Sequence, residues 1–410
     1  YYQQEKWPEA LKALAPLVAV KDSPRNFDEL DFMMADCHYW AGAWDQAITF
    51  FDKFATEKPK EINADTALMK SGLASEKKGD SKTAITTYGK LANGANYQKS
   101  VHLPHALVEI GRLQYDAKAY PAARTALQKV IQTHATSPMK VQADYYLGWV
   151  ALGEKKPDEA AKQFGAVADS KPKHELAAAA RLQQGMVLLG QGKSAEAQAA
   201  YQKFAASYPS DAKIDQATFY LGKTMTEQKQ WDPALAQFAK LAAMTKSELR
   251  DRALYESAWA EKMAGRPAKA MGHYVRLFNK FPQSELLDTS TFELAELEFQ
   301  SKAYKDAVVR LENLMSVAKE AELKSKATYR LAWSHFELKD FGKSAEAFEA
   351  FGAGLTANPA ADLKVLTGTA AYQAGEARMD LAKQAADAPA KAEAYKAAQS
   401  NFQKAVAAKN

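Results

Sequence analysis

Residues 141–172 read Val141-Gln-Ala-Asp-Tyr-Tyr-Leu147-Gly148-Trp149-Val-Ala-Leu-Gly, then Glu-Lys-Lys-Pro157-Asp-Glu-Ala160-Ala-Lys-Gln-Phe164-Gly-Ala-Val167-Ala-Asp-Ser-Lys-Pro172. The first half is rich in Ala and Leu, with apolar residues three and four apart, which is the helical period. Pro157 suits the first position of a second helix, where its missing N–H costs nothing, and Asp158 and Glu159 favour that helix's first turn. Ala160, Phe164 and Val167 form one apolar stripe at i, i+4, i+7. Pro172 is a stop signal, because proline clashes with a preceding helical turn. The stretch therefore predicts two antiparallel helices joined by a short turn.

The same pattern recurs outward in both directions. Taking Ala160 as the landmark, its counterparts are Ala10, Ala47, Ala84, Ala123, Ala197, Ala234, Ala270, Ala307, Ser344 and Ala398. The successive intervals are 37, 37, 39, 37, 37, 37, 36, 37, 37 and 54, so all but the last lie within two residues of 37. An aromatic residue or Leu follows four residues later: Phe51, Tyr88, Leu127, Tyr201, Phe238, Tyr274, Leu311, Phe348 and Phe402. Twelve residues before the landmark stands Gly or Ala: Gly72, Gly111, Gly148, Gly185 and Gly222, and Ala35, Ala258, Ala295 and Ala332. A small residue there lets two helices approach, and a bulky one would cost roughly 1–3 kcal/mol by overpacking.

This pattern resembles the tetratricopeptide repeat family, in which Leu147-Gly148, Ala160, Phe164 and Pro172 stand at the family spacing. Ala197, Tyr201, Phe204 and Pro209 do so too, as do Ala270, Tyr274, Leu277 and Pro282. The family repeat is about 34 residues, so most copies here carry a few residues more. The resemblance implies an all-α fold, a right-handed α-solenoid of stacked antiparallel helix pairs. It divides the chain into a partial first repeat at 1–24, a tandem array at 25–359, and an atypical last repeat at 360–410 with extended Ala-rich helices. Because Tyr1 falls only nine residues before Ala10, the first repeat is expected to be incomplete, with further repeats or a cap preceding it in the native protein. Tyr208-Pro209-Ser210 before Ala217–Gly222, and Phe281-Pro282-Gln283-Ser284 before Phe292, resemble bacterial envelope members. These are of the outer-membrane assembly lipoprotein type and the Tol-Pal-associated periplasmic coordinator type. A periplasmic or envelope-associated setting is what that resemblance implies; a cytoplasmic one is the alternative.

Composition narrows the function. The 410 residues carry 54 Lys plus Arg and 49 Asp plus Glu, a net charge of +5 with no concentrated basic stretch, so a phosphate-neutralising nucleic-acid surface is not expected. Apolar runs fall far short of the ~20 residues that span a bilayer. The single cysteine, Cys37, excludes an internal disulfide. The seven histidines, among them His102 and His105 with Pro104 between them, share no metal-ligand spacing. There is no phosphate-binding glycine loop, HExxH or nucleophile elbow. Neither an enzyme nor a cofactor is expected.

What remains is binding of protein or peptide segments. In the family, chosen first-helix positions face an inner groove. Carried over, one row is Phe32, Met69, Val108, Tyr145, Leu182, Phe219, Tyr255, Phe292 and Tyr329. A second is Asp36, Leu73, Arg112, Trp149, Met186, Lys223, Trp259, Glu296 and Trp333, and a third includes Tyr39, Tyr115, Phe299 and Phe336. Tyr145, Trp149, Tyr255, Trp259, Phe299, Tyr329, Trp333 and Phe336 are thus the candidate anchors. Two readings stay open: these rings face a partner, or they fill gaps within and between repeats. The Lys and Asn by which family members grip acidic chaperone tails are missing from the first two rows, and only Lys326 and Arg330 resemble part of that clamp. A scaffold for protein segments is the first reading. A spacer or self-associating part of an assembly, and the docking region of a longer protein, are the alternatives.

Overall fold

The computed structural model describes residues 1–18, 29–170, 173–354 and 361–408; the boundaries expected at 24/25 and 359/360, and the stop at Pro172, lie outside them. Among the described residues the chain is helical, with no strand. It forms two compact units, Tyr1–Ala217 and Thr218–Asn410.

The first unit holds α1 (Trp7–Val18), α2 (Leu30–Trp40), α3 (Trp44–Glu57), α4 (Ala64–Lys78), α5 (Ser81–Asn93) and α6 (Leu103–Asp116). It continues with α7 (Tyr120–Thr133), α8 (Met139–Gly153), α9 (Pro157–Ser170), α10 (Glu175–Gly190) and α11 (Ser194–Ser207). After α12 (Ile214–Glu227), in which the division falls, the second unit holds α13 (Trp231–Ala243), α14 (Arg250–Met263), α15 (Pro267–Lys280) and α16 (Leu287–Gln300). It ends with α17 (Tyr304–Val317), α18 (Ala321–Glu337), α19 (Phe341–Gly354), α20 (Ala361–Gln384) and α21 (Ala388–Ala407). Within each unit, helices consecutive in the chain pack on one another.

The helices keep step with the landmarks. From Ala10 in α1 to Ser344 in α19, each landmark is the fourth residue of an odd-numbered helix, and each is buried. The small slot twelve residues earlier lies under the ring, or at Gly111 under Leu127, four residues after the landmark. A Cβ on Gly148 would come within 2.6 Å of Phe164 Cε1, one on Gly185 within 2.6 Å of Tyr201 Cε1, and one on Gly222 within 2.5 Å of Phe238 Cε1. Phe164, Tyr201 and Phe238 are fully buried. The ring thus reaches across its own helix pair and lies on bare backbone.

The last repeat breaks the period but keeps this contact. α20 has 24 residues and α21 has 20, against 11 to 17 in the others. Even so, Gly375 of α20 meets Phe402 of α21, where a Cβ would come within 2.6 Å of the ring.

In nine repeats the turn between paired helices is closed by one left-handed residue, five before the landmark. It is Gly42, Gly79, Gly192 or Gly265 in four repeats and Lys118, Lys155, Lys229, Lys302 or Lys339 in five, with φ between 58° and 87°. Glu5 holds the same register before Ala10, with φ 56°. The geometry is the Schellman closure: the Lys118 N–H donates to the Tyr115 carbonyl at 2.8 Å and the Ala119 N–H to the Gln114 carbonyl at 2.8 Å. Two carbonyls left open at the helix end are thereby satisfied.

Two expected outcomes follow from this packing. Gly148→Ala should lower stability by roughly 1–3 kcal/mol. Combined with Phe164→Leu, which makes the pair resemble Ala295 and Leu311, it should cost about 1 kcal/mol less than the sum of the single changes, as a urea-denaturation cycle would reveal; strict additivity would refute the close approach. Lys118→Gly should stabilise, because left-handed backbone costs a side-chain-bearing residue ~1–2 kcal/mol and glycine's extra chain entropy returns only ~0.5–1 kcal/mol of that. A lower urea midpoint would contradict it.

Candidate protein-interaction surfaces

The first row of candidate residues turns toward its own helix pair. Phe32, Met69, Val108 and Leu182 are buried, while Tyr145, Phe219, Tyr255, Phe292 and Tyr329 are half-buried. Tyr145 meets the Phe164 ring at 5.5 Å, Tyr255 the Tyr274 ring at 6.0 Å, and Tyr329 the Phe348 ring at 5.8 Å, each edge-to-face. These residues extend the ring-on-backbone contact edge-to-face, and each remains partly exposed. Burial raises the Tyr255 hydroxyl above its ordinary pKa.

The three tryptophans are half-buried as well. In the first unit Trp149 lies edge-on to Phe164 at 5.5 Å and to Tyr145 at 6.3 Å, and reaches Tyr115 of the preceding helix pair at 6.4 Å. In the second, Trp333 meets Phe348 at 5.4 Å, Phe336 at 5.8 Å and Tyr329 at 6.4 Å. Among the described residues Trp259 has a single ring neighbour, Trp231 at 6.1 Å. The tryptophans therefore differ: two are wedged among several rings, and Trp259 rests on one.

The third row closes turns. Tyr39 packs on Trp44 at 5.4 Å, Tyr115 on Tyr120 at 5.9 Å, Phe299 on Tyr304 at 5.3 Å and Phe336 on Phe341 at 5.5 Å. In each pair the last turn of one helix meets the first residue of the next. Arg330 lies 4.4 Å over the Phe299 ring and forks onto the Glu296 carboxylate, one of its two bonds measuring 2.8 Å. Both the cation–π and the bidentate contact hold its guanidinium flat.

Charges on the first helices are consumed by their neighbours. Asp36 pairs with Lys70, and Arg112 with Glu76 and Glu109. In the second unit Lys223 pairs with Glu256 at 2.9 Å, Lys262 with Glu293 at 2.7 Å, and Arg330 with Glu296. Lys326 bonds Glu322 at 2.6 Å, so both residues that resembled a clamp already have carboxylate partners within the fold. Arg112–Glu109 and Lys326–Glu322 lie within one helix, whereas the other pairs link successive first helices; all are partly exposed, so each contributes little to stability. Their consequence is that the aromatic edges are framed by neutralised charge.

The residues with reactive chemistry have structural partners. Cys37 is buried, and its thiol is pushed up to about 11 by burial and by Asp36. His102 precedes α6 and lies 3.1 Å from the Thr66 hydroxyl, whereas His105 faces Glu109 at 3.3 Å. The two histidines point to different partners. Among the described residues no group of three or more His, Cys, Asp or Glu is placed to hold a metal ion.

Against this geometry the comparisons with known proteins fall into place. The tetratricopeptide repeat-like domain matches residues 46–217, and the tetratricopeptide repeat matches residues 29–60 and 252–284. The chain belongs to the tetratricopeptide repeat family. No curated protein matches it. Among solved structures it is similar to the apo form of RapI, at 11% identity over 84% of this chain and 97% of that one, with a TM-score of 0.50. It is also similar to the C-terminal part of a repeat-containing protein from Cytophaga hutchinsonii, at 16% identity over 61% and 96% of the two chains and a TM-score of 0.49. A repeat protein from Parabacteroides merdae matches at 16% identity over 65% and 98%, with a TM-score of 0.43. At these identities the likeness extends to the fold. No described helix is long and apolar enough to cross a membrane.

The unequal settings of the tryptophans yield an expected outcome. Trp333→Ala removes a ring wedged among three others and should cost about 2–4 kcal/mol, below the full-burial range because the ring is half-exposed. Trp259→Ala should cost under about 1.5 kcal/mol on the same scale. Denaturant midpoints of the two variants give the comparison, and equal losses would contradict the packing described.

Proposed function

We propose that the chain is a non-catalytic scaffold that holds protein segments against the first-helix faces of its units. The anchors are Trp149 and Tyr145 in the first unit, and Trp259, Trp333, Tyr255, Tyr329, Phe299 and Phe336 in the second. The observation that carries this reading is the half-burial of these rings. Packing fixes their orientation, so little rotamer entropy remains to be lost on binding, and their open edges stay available. Because neighbouring charges are already paired, recognition would rest on apolar and aromatic contact rather than on a charged clamp. The family is one of interaction modules, and such modules commonly accept a helix or an extended peptide.

The proposed setting is a bacterial envelope complex, in the periplasm or at a membrane surface. It rests on the Tyr-Pro-Ser and Phe-Pro-Gln-Ser junctions quoted above. Service as a spacer or self-associating component, or as the docking part of a longer protein, are the competing readings.

A photo-cross-linking residue placed at 259 or 333 in cells should give discrete heterologous adducts. The same residue at Thr86 or Glu346, on second helices, should give none. Adducts from the second-helix positions alone would refute the first-helix reading. Adducts of twice the chain mass, with concentration-dependent light scattering, would favour self-association instead. Osmotic-shock fractionation of the natural host tests the setting, and recovery wholly with the cytosol would overturn it.

A further inference from the structure

Repetition supplies an internal standard for what each position ordinarily holds. Six residues after the landmark, seven of the eleven second helices carry a cation, Lys53, Lys90, Lys129, Lys203, Lys240, Arg276 and Lys404, and the other four hold Pro16, Ala166, Asn313 and Ala350. Where such a lysine's partner is seen, it often spans the furrow to the preceding second helix. Lys90 of α5 reaches Asp52 of α3 at 3.1 Å, Lys129 of α7 reaches the Ala92 carbonyl of α5 at 3.2 Å, and Lys203 of α11 comes 3.9 Å from Asp169 of α9.

α17 shares the missing cation with α1, α9 and α19 and differs from them in what flanks it. Its residue at that register is Asn313, which is too short to span, and the flanking positions one turn away on the same stripe are Val309 and Val317. The counterparts of Val309 are Lys12, Thr49, Thr86, Thr125, Lys162, Ala199, Ala236, Gly272 and Glu346. Those of Val317 are mixed: Glu57, Thr133, Ser170, Ser207 and Lys280 are polar, Gly94, Gly354 and Ala408 small, and Val20 and Met244 apolar. Val309 is 68% exposed and Val317 58%. Between this stripe and the end of α15 lies an open groove of about 620 Å³, with Phe278, Pro282 and Leu287 on its far side and floor.

The groove has a sign. Asp288 and Asp306 stand on it, and no basic side chain engages either among the described residues. Arg310 also lines it, but forks onto Glu298 at 2.8 and 2.7 Å and is thereby neutralised. Placement in the first turns of α16 and α17 accounts for the two aspartates through the helix dipole. Nothing in the fold accounts for two exposed valines on the stripe that every sister helix keeps polar or small at the first position.

We propose that this groove between α15 and α17, on the second-helix side of the second unit, docks a short peptide segment of a partner protein. The segment carries an aliphatic or aromatic side chain flanked by Lys or Arg. The apolar side chain would lie between Phe278 and the two valines, and the basic one would answer Asp288 and Asp306. Eight helical residues separate the valines, about 12 Å of rise, which matches roughly four residues of extended chain. This site is separate from the first-helix faces and does not depend on the reading given for them.

The test uses a random twelve-residue peptide library displayed on phage and selected on the full 410-residue chain. Selected peptides are then synthesised and titrated by fluorescence anisotropy. Peptides that pair an apolar residue with Lys or Arg are expected. Their affinity should fall at least tenfold in Val309→Thr/Asn313→Lys/Val317→Ser, which gives α17 the pattern of its sisters and so should fold. Asp288→Asn/Asp306→Asn should weaken binding three- to tenfold and flatten its salt dependence. Four outcomes would overturn the proposal: an acidic consensus, no selected peptide sensitive to the triple change, sensitivity to Trp259→Ala instead, or a concentration-dependent dimer that the triple change disperses, which would give the groove to a second copy of the chain.

Discussion

A large side chain, a ring in most repeats and Leu127 or Leu311 in two, lying on a Gly or Ala of the partner helix is the contact on which each helix pair depends. That side chain stands four residues after the landmark, and the residue beneath it stands twelve before. Where that lower residue is Gly, as at 148, 185 and 222, the space a Cβ would need is already occupied by ring carbons. Where it is Ala, as at 35, 258, 295 and 332, the two helices accommodate one methyl group. The last repeat shows how strongly the contact is held. Its landmark is displaced and its helices are longer, yet Gly375 and Phe402 still meet. Lengthening a helical hairpin on both arms leaves the crossing point intact. The contact therefore fixes the pair, and the spacing of 37 residues follows from it together with the junctions.

Much of this was readable from the residues alone, because hydrophobic periodicity and small-residue slots leave direct traces in composition. The landmarks fall where the helices begin, and the small slots fall under the rings. The turns were harder to see. Their left-handed residue alternates between Gly and Lys, and Lys is not a residue that announces positive φ. The five lysines at 118, 155, 229, 302 and 339 look like ordinary surface charges until the backbone is known. The signal was present as a fixed register five residues before each landmark.

The candidate anchors were only partly readable, for a different reason. Sequence register assigns a residue to a helix face but does not reveal what lies opposite. Tyr145, Tyr255 and Tyr329 extend the ring stack of their own helix pair, and Phe299 and Phe336 close turns against Tyr304 and Phe341. These are partnerships between the two helices of a pair, and they emerge only once the hairpin is folded. Nor could the pairing of Lys223, Lys262 and Arg330 with carboxylates on the next first helix be told from free charge in the sequence. Half-burial is the result: the same side chain serves the fold and stays partly exposed.

Sister repeats are related sequences folded side by side, so each second helix is a control for the others. A lysine six residues after the landmark recurs because it can reach the neighbouring second helix, as Lys90 and Lys129 do. Stability alone gives no reason to exchange it for Asn313 while placing valines on both sides. Exposed apolar side chains on a solvated stripe gain nothing from the fold. A structural cause for the departure would have to appear as burial of those valines, and both are mostly exposed. The spanning cation is missing at Ala166 and Ala350 too, but α17 combines its loss with a valine on either side and two aspartates on the same groove. What distinguishes α17 is therefore the combination, a large aliphatic side chain at both flanking positions, and not the absent lysine.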